Sequence, residues 1–237
     1  MCLSCCRVDK DAGSLLPLGV MEPALPTYGP SERLADAVVH LVGLALALLA
    51  CLVLFATLPV GADLPVLLGL GIYGGALVAM LACSALYNLS GDDRRRRFYR
   101  RLDHAGIFLM IAGTYTPFTL ILLGDGRALG LLALVWTLAL IGAAVELAAL
   151  IRSGAILTSA YLLLGWVIVA QIGPLADALS RSGLILLVAG GVLYTVGAAF
   201  HHWRSLPYHN AIWHLFVVGA AACHYLAVLR EIVLRAS

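Results

Sequence analysis

Apolar residues run along this chain in seven long stretches separated by short polar breaks. The stretches cover residues 34–57, 65–89, 103–123, 128–150, 154–172, 182–201 and 210–230. A helix needs roughly 20 apolar residues to cross a hydrocarbon core about 30 Å thick, and each stretch is close to that length. Pro, Gly and charged residues mark the breaks, as at Pro59, Gly61 and Pro65. The pattern predicts an all-α fold, an integral membrane bundle of seven transmembrane helices.

The composition supports a membrane location. Of the 237 residues, 62% are hydrophobic and 12% are charged, whereas soluble domains have roughly 45–50% and about 25%. A soluble globule of this size cannot bury so much apolar surface. The net charge of +2 is too small to indicate a nucleic-acid partner. We therefore expect a multi-pass protein of the cell's inner (plasma) membrane with membrane lipids as partners, and the sequence identifies no protein partner.

The distribution of Lys and Arg predicts the orientation. Eleven of these fifteen residues lie in the N-terminal segment and the even-numbered loops, the sides that positive charge keeps in the cytoplasm. The N-terminus is thus predicted to be cytoplasmic and the C-terminus outside. Six of the eleven lie at 90–102, in the run DDRRRRFYRR (92–101). This run is interpreted as a solvated loop, or alternatively as a site for anionic lipid headgroups.

The first residues differ from the rest of the chain. Residues 1–30 are predicted to form a poorly ordered cytoplasmic segment, and residues 31–237 the seven-helix domain. The segment holds Cys2, Cys5 and Cys6, which are weak evidence for a metal site without a nearby His. It lacks the apolar core of a secretory signal. The sequence leaves open whether translation starts at Met1 or at Met21.

Glycines in the second stretch imitate a nucleotide-binding motif. Gly69, Gly71 and Gly74 spell G-x-G-x-x-G, and Gly71 with Gly75 spells G-x-x-x-G. The nucleotide motif requires a preceding strand and a helix that opens at the glycines. Here the glycines lie inside an apolar stretch, so they are interpreted as a close helix contact surface. No nucleotide site is predicted.

Polar residues converge at one depth in the predicted bundle. Ionisable groups are costly inside a bilayer, so their convergence predicts a site. The residues are Glu32, Asp36 and His40 on the first helix, Ser84, Tyr87 and Asn88 on the second, Asp103 and His104 on the third, and His209, Asn210 and His214 on the seventh. Asp103 with His214 indicates a metal site or an acid–base pair. Glu32 and Asp36 either join this layer or face lipid headgroups.

Five segments of the sequence resemble the hemolysin III family. They are ERLADAVVHLVG (32–43), SALYNL (84–89), LDHAGIFLMIAGTYTPF (102–118), GGVLYTVGAAF (190–200) and HNAIWHLFVVGAAACHYLAVL (209–229). That family belongs with the progestin and adipoQ receptors and the alkaline ceramidases, a superfamily of seven-helix membrane proteins. The resemblance spans residues 31–230 and implies the same fold.

The resemblance also implies a set of site residues. Relatives carry Ser-x-x-x-His on the second helix, Asp on the third and His-x-x-x-His on the last. Their three His hold zinc, and the Asp orients the metal-bound water. Ser84, Asp103 and His214 match this pattern, whereas Asn88 and Asn210 stand where two of the zinc ligands should be. An amide is a poorer zinc ligand than an imidazole, so zinc bound in the family manner is doubtful.

Two interpretations of these substitutions remain open. In the first, amides that donate and accept at once complete a polar network with their neighbours. Its members would be Ser84, Asn88, Asp103, Asn210 and His214. In the second, His40 or His209 repairs the metal site.

The resemblance implies a role in membrane lipid homeostasis, or in membrane perturbation and cytolysis. The alternative is a metal-dependent hydrolase of lipid amides, in which Asp103 and Ser84 are catalytic and His214 binds the metal. The missing ligands weigh against this enzyme.

Overall fold

The protein is all-helical over the residues described by its computed structural model, 28–151 and 153–234. Seven helices are long and apolar enough to cross a membrane. They are α1 (Pro30–Ala56), α2 (Leu64–Leu89), α3 (Asp93–Leu123), α4 (Gly126–Leu147), α5 (Gly154–Ala178), α6 (Arg181–His202) and α7 (His209–Val233). The predicted seven-helix bundle is confirmed. Its orientation stays a prediction, and most of the predicted N-terminal segment lies outside the described residues.

The outer surface of the bundle is apolar. Leu52 on α1 and Leu163 on α5 are 69% and 72% exposed, and many other large apolar side chains also point outward. A monomeric soluble protein rarely exposes contiguous apolar surface on this scale. Lipid tails are the medium in which such a surface is stable.

The arginine-rich run forms the start of α3 and not a loop, so the predicted loop at 90–102 is wrong from residue 93 onward. Asp92 caps this helix, because its side chain accepts hydrogen bonds from the backbone N–H of Arg94 at 2.8 Å and of Arg95 at 3.2 Å. These bonds lower the pKa of the Asp92 carboxyl. Hydropathy marks where the apolar part begins, whereas Arg, a good helix former, extends the helix beyond it.

Helix α5 is longer than predicted and changes its winding midway. An α-helical part, Gly154–Trp166, leads into a 3₁₀ turn, Val167–Gln171, and a short α-helix, Ile172–Ala178. The hydroxyl of Tyr115 causes the change. It accepts a hydrogen bond from the backbone N–H of Ile168 at 2.7 Å and lies 3.0 Å from the carbonyl oxygen of Leu164. It thus takes the place of the bond that would join Ile168 to Leu164 in a regular α-helix.

The glycine surface predicted on α2 is only half correct. A Cβ at Gly69 would press on Ile121 of α3, and one at Gly74 would lie 3.2 Å from Sγ of Cys51 on α1. Gly71 and Gly75 are exposed and would have no such neighbour within 4 Å. Positions 69 and 74 therefore permit close helix contacts, whereas positions 71 and 75 do not make them.

Helix α1 packs between α2 and α7, which decides which polar residues meet. The start of α1, the end of α2 and the start of α7 lie together at one end of the bundle. At the other end, Glu231 of α7 accepts hydrogen bonds from the backbone N–H of Ser180, at 2.9 Å, and from its hydroxyl. We call this pair the Glu231 clasp. It joins the end of α7 to the start of α6.

Candidate functional site

Three helices contribute to a hydrogen-bonded group at the end where α1, α2 and α7 meet. We call it the polar cluster. Its members are Asp36, His40, Ser84, Asn88, Asn210 and His214. All of them are buried except Asn88, which is half-buried. The cluster confirms that the polar layer on α1, α2 and α7 converges. It also shows that Asp36 lies in the core and does not face headgroups.

A carboxylate–imidazole pair lies at the centre of the polar cluster. Nδ1 of His214 is 2.7 Å from Oδ1 of Asp36, and the amide nitrogen of Asn210 donates to Oδ2 at 3.0 Å. Since a carboxylate only accepts, His214 carries its proton on Nδ1 in this arrangement. Among the described residues, no Arg or Lys forms an ion pair with Asp36. The hydrogen bonds to its carboxylate therefore come from an imidazole and an amide.

His40 carries its proton on the nitrogen that faces its own helix. Nδ1 lies 2.7 Å from the backbone carbonyl oxygen of Asp36, which can only accept. Nε2 then accepts hydrogen bonds from the hydroxyl of Ser84 at 3.1 Å and the amide nitrogen of Asn88 at 3.2 Å. The rings of His40 and His214 meet edge to face, with centroids 4.2 Å apart.

Asn88 and Asn210 act as connectors between the helices. The amide nitrogen of Asn88 also donates to the Ser84 carbonyl at 3.0 Å, and its oxygen accepts from the amide nitrogen of Asn210 at 3.3 Å. Both amide nitrogens are thus turned towards acceptors in the cluster, and an amide nitrogen is not a metal ligand. The donor set at the family's zinc position therefore does not fit the ion in this chain.

Asp103 lies outside the hydrogen-bonded network. It is 8% exposed and, with His40, Ser84 and His214, lines an internal cavity of about 810 Å³. Among the described residues it has no hydrogen-bond partner. The expected pairing of Asp103 with His214 is not formed, because Asp36 on the neighbouring α1 occupies that side of the imidazole.

Two other predicted polar residues lie at the rim of the cluster. His209, the first residue of α7, contacts Tyr28 with ring centroids 5.7 Å apart. Burial raises the pKa of Tyr28 to about 12. Glu32 accepts from the backbone N–H of Gly29 and of Tyr208, both at 2.9 Å. Tyr208 has a φ of 60°, so Glu32 fixes a strained residue just before α7.

A second buried carboxylate was not predicted to form a site. Glu146 on α4 is 6% exposed, and the hydroxyl of Tyr161 on α5 donates to it at 3.3 Å. Nδ1 of His104 on α3 lies 3.6 Å from its other oxygen. A Glu in an apolar helix was the only signal in the sequence, and it could not reveal which partners the bundle supplies.

Three members of the polar cluster form a group that could hold a metal ion. Asp36, His40 and His214 each offer one ligand atom, and these atoms lie within 4.8 Å of one another. Fold and site together define the class: a seven-helix membrane protein whose buried Asp and His residues lie beside an internal cavity.

Comparison with known proteins identifies the family within this class. A family model described as Haemolysin-III related matches residues 31–225. This chain belongs to the hemolysin III family. It is 36% identical to Hemolysin-3 of Bacillus cereus over 198 residues, which are 84% of this chain and 90% of the relative. It is 34% identical to the Hemolysin-3 homolog of Bacillus subtilis (strain 168) over 200 residues, 84% of this chain and 93% of the relative.

The chain is also similar, at lower identity, to a human protein. The chain is 27% identical to the human Monocyte to macrophage differentiation factor over 168 residues, which cover 66% of this chain and 67% of the relative. This relative fits the wider superfamily that includes the progestin and adipoQ receptors.

Proposed function

We propose that this protein binds single-chain lipids from the surrounding membrane in its internal cavity and thereby acts in membrane lipid homeostasis. The membrane is the cell's inner (plasma) membrane. The observation that carries the proposal is the cavity itself, which combines a polar end with a long apolar wall inside one bundle.

The size and lining of the cavity suit a lipid. Its volume of about 810 Å³ falls within the roughly 300–1,000 Å³ of small-molecule sites in proteins. Away from the polar cluster, apolar side chains from four helices form the wall. They include Met80, Met110, Phe118, Leu175 and Leu187. An acyl chain gains by contact with this wall, while a polar headgroup meets the hydrogen-bonding groups of the cluster.

The same distribution of polar groups favours lipid binding over formation of a water-filled pore. A water-filled pore is lined by polar groups, whereas the cavity wall beyond the polar cluster carries apolar side chains such as Met80, Met110 and Phe118. The name of the B. cereus relative refers to haemolysis. Cytolysis by this chain would then follow from disturbed lipid composition, and not from a channel through one bundle.

Two glycine variants test lipid binding. Gly165 lines the cavity, and a Cβ there would have open space around it, so Gly165→Phe places a ring in the cavity. Gly71→Phe is the matched control, because Gly71 is also helical with open space but lies on the outer surface. Binding of dansylundecanoic acid to the detergent-purified proteins is measured by fluorescence. Gly165→Phe should weaken binding about tenfold, a loss of about 1.4 kcal/mol, because the ring fills space that the ligand would occupy.

Unchanged binding in Gly165→Phe would contradict the proposal, as would equal losses in both variants. Mass spectrometry of lipids extracted from the parent protein gives a second readout. Single-chain lipids should be retained by the parent and by Gly71→Phe, and depleted from Gly165→Phe.

The free carboxylate of Asp103 favours a second function, hydrolysis of lipid amides. Asp103, Ser84 and His214 line the same cavity, and the Asp103 carboxylate is open to a proton from a bound molecule. In this proposal the Asp103 carboxylate transfers the proton, and the reaction further needs a metal that activates water. Zinc held in the family manner is not supported, because Asn88 and Asn210 are committed to hydrogen bonds in the cluster.

A further inference from the structure

The buried carboxylate of Asp36 has no Arg or Lys partner in the described part of the chain. Asp36 is 6% exposed, and the groups that reach it are two imidazoles and an amide. A buried carboxylate is costly unless it is paired or coordinates a metal. Hydrogen bonds from these groups reduce this cost, and a bound metal cation would compensate for the charge.

His214 has an open ring nitrogen on the side away from this carboxylate. Its side chain is 10% exposed, and its Nε2 has no hydrogen-bond partner among the described residues. Its Nδ1 is held by Asp36. The proton on Nδ1 can therefore move to the open Nε2 when Nδ1 binds a metal ion.

The spacing of the three side chains is close to that of a metal site. Oδ1 of Asp36 lies 2.7 Å from Nδ1 of His214 and 3.7 Å from Nδ1 of His40. Ligands of a tetrahedral zinc ion, with bonds of about 2.0–2.1 Å, lie roughly 3.3 Å apart. The two measured separations lie on either side of that value, and all three ligand atoms lie within 4.8 Å of one another.

Both imidazoles can move the proton that metal binding displaces to their other ring nitrogen. Metal binding requires a deprotonated ligand atom and releases or relocates its proton. If His40 binds through Nδ1, the proton moves to Nε2, where the Ser84 hydroxyl at 3.1 Å can accept it and the Asn88 amide nitrogen, now 3.2 Å away, has to turn aside. The proton of His214 can move to Nε2 on the cavity side.

We infer that Asp36, His40 and His214 form a divalent-metal site of the zinc type, with two ligands on α1 in place of the two amides at the family's positions. Carboxylate oxygen and imidazole nitrogen are ligands that zinc prefers. Three protein ligands leave one position for a water or substrate atom. The inference does not depend on lipid binding.

The experiment measures zinc per chain in detergent-purified protein by elemental mass spectrometry, after incubation with zinc chloride and desalting. In the parent and in all variants, Cys2, Cys5 and Cys6 are replaced by Ser, so that their thiols cannot bind zinc. Three variants remove one ligand each: Asp36→Asn, His40→Gln and His214→Gln. His224→Gln is the matched control, because His224 is a buried His of α7 that bonds to the Leu187 carbonyl away from the cluster.

The parent and His224→Gln should each hold about one zinc, and each ligand variant should bind it more than about tenfold more weakly. Thermal melting with and without zinc shows that the variants are folded. Zinc should raise the melting temperature of the parent and of His224→Gln alone.

Negligible zinc in the parent would overturn the inference, and a double variant keeps that result informative. Asn88→His with Asn210→His rebuilds the family's donor set. Zinc in this double variant but not in the parent would show that the site can be reached and that the parent's α1 residues do not bind. Zinc that is lost in His214→Gln but kept in Asp36→Asn and His40→Gln would also overturn the assignment to α1.

Discussion

The two ends of the bundle each bury a carboxylate, and they stabilise it in different ways. Glu231 is 3% exposed and accepts both the backbone N–H and the hydroxyl of Ser180, with Nε of Arg230 3.6 Å away. Asp36 is 6% exposed and is held by an imidazole and an amide on another helix. The Glu231 clasp thus has an Arg beside it, whereas no Arg or Lys among the described residues pairs with Asp36 in the polar cluster.

The position of the cavity adds to this difference. His40 and His214 of the polar cluster line it, whereas Glu231 is not among the described residues that do. The clasp closes a helix junction and leaves no group facing free space. The comparison indicates that a buried carboxylate serves stability where its partners saturate it, and serves binding where its neighbours keep free ligand atoms.

The largest expected effect comes from breaking the clasp. Glu231→Ala removes the acceptor of the Ser180 backbone N–H and of its hydroxyl, of which only the hydroxyl can turn to another acceptor, Ser182. It should therefore lower the free energy of unfolding by about 3 kcal/mol. Thermal or denaturant unfolding in detergent measures the change. Glu231→Gln should lose less, since the amide oxygen still accepts. If Glu231→Ala unfolds like the parent, the clasp is not a stabilising contact.

A smaller effect is expected inside the polar cluster. Asn210→Ala removes the donor to Oδ2 of Asp36 and the donor to Asn88, so it should cost about 1–2 kcal/mol in the presence of a chelator. The same unfolding measurement applies. If Asn210→Ala lowers the free energy of unfolding more than Glu231→Ala does, the polar cluster and not the Glu231 clasp is the more important structural element.

The smallest effect concerns an exposed carboxylate, Asp92, at the start of α3. Its hydrogen bonds to backbone N–H groups lower its pKa below the ordinary 3.8. A lowered pKa adds stability that is complete above the ordinary value and is lost as the pH falls through the folded value. The melting temperature of the parent should therefore drop more than that of Asp92→Asn between about pH 5 and pH 3. Parallel curves would show that the charged cap adds nothing.

Much of the fold could be predicted because a bilayer imposes one simple rule on sequence. Apolar length alone located all seven helices. The same rule failed at the polar start of α3, where Arg residues extend the helix beyond the apolar stretch. It also failed in α5, because the Tyr115 hydroxyl that alters its winding comes from another helix. Helix ends and irregular turns depend on caps and tertiary contacts that hydropathy does not contain.

The candidate site could be predicted by depth but not by pairing. The sequence placed Ser84, Asn88, Asn210 and His214 in one layer, and they meet there. It paired His214 with Asp103, whereas the structure pairs it with Asp36. The partner depends on the order of the helices around the bundle and on the rotation of each helix, and a single sequence gives neither. Asp36 and His40 lie four residues apart and therefore share one face of α1. This spacing was the signal in the sequence that could have placed Asp36 beside His214.

The most direct test of the contrast between the two ends is a measurement on Asp36→Asn and Glu231→Gln side by side. Zinc content and melting temperature in chelator are determined for both proteins. The account predicts that Asp36→Asn loses zinc and melts only slightly below the parent, while Glu231→Gln keeps zinc and melts at a still lower temperature. If Asp36→Asn keeps its zinc, or if Glu231→Gln loses it while remaining folded, the assignment of binding to one end and stability to the other is contradicted.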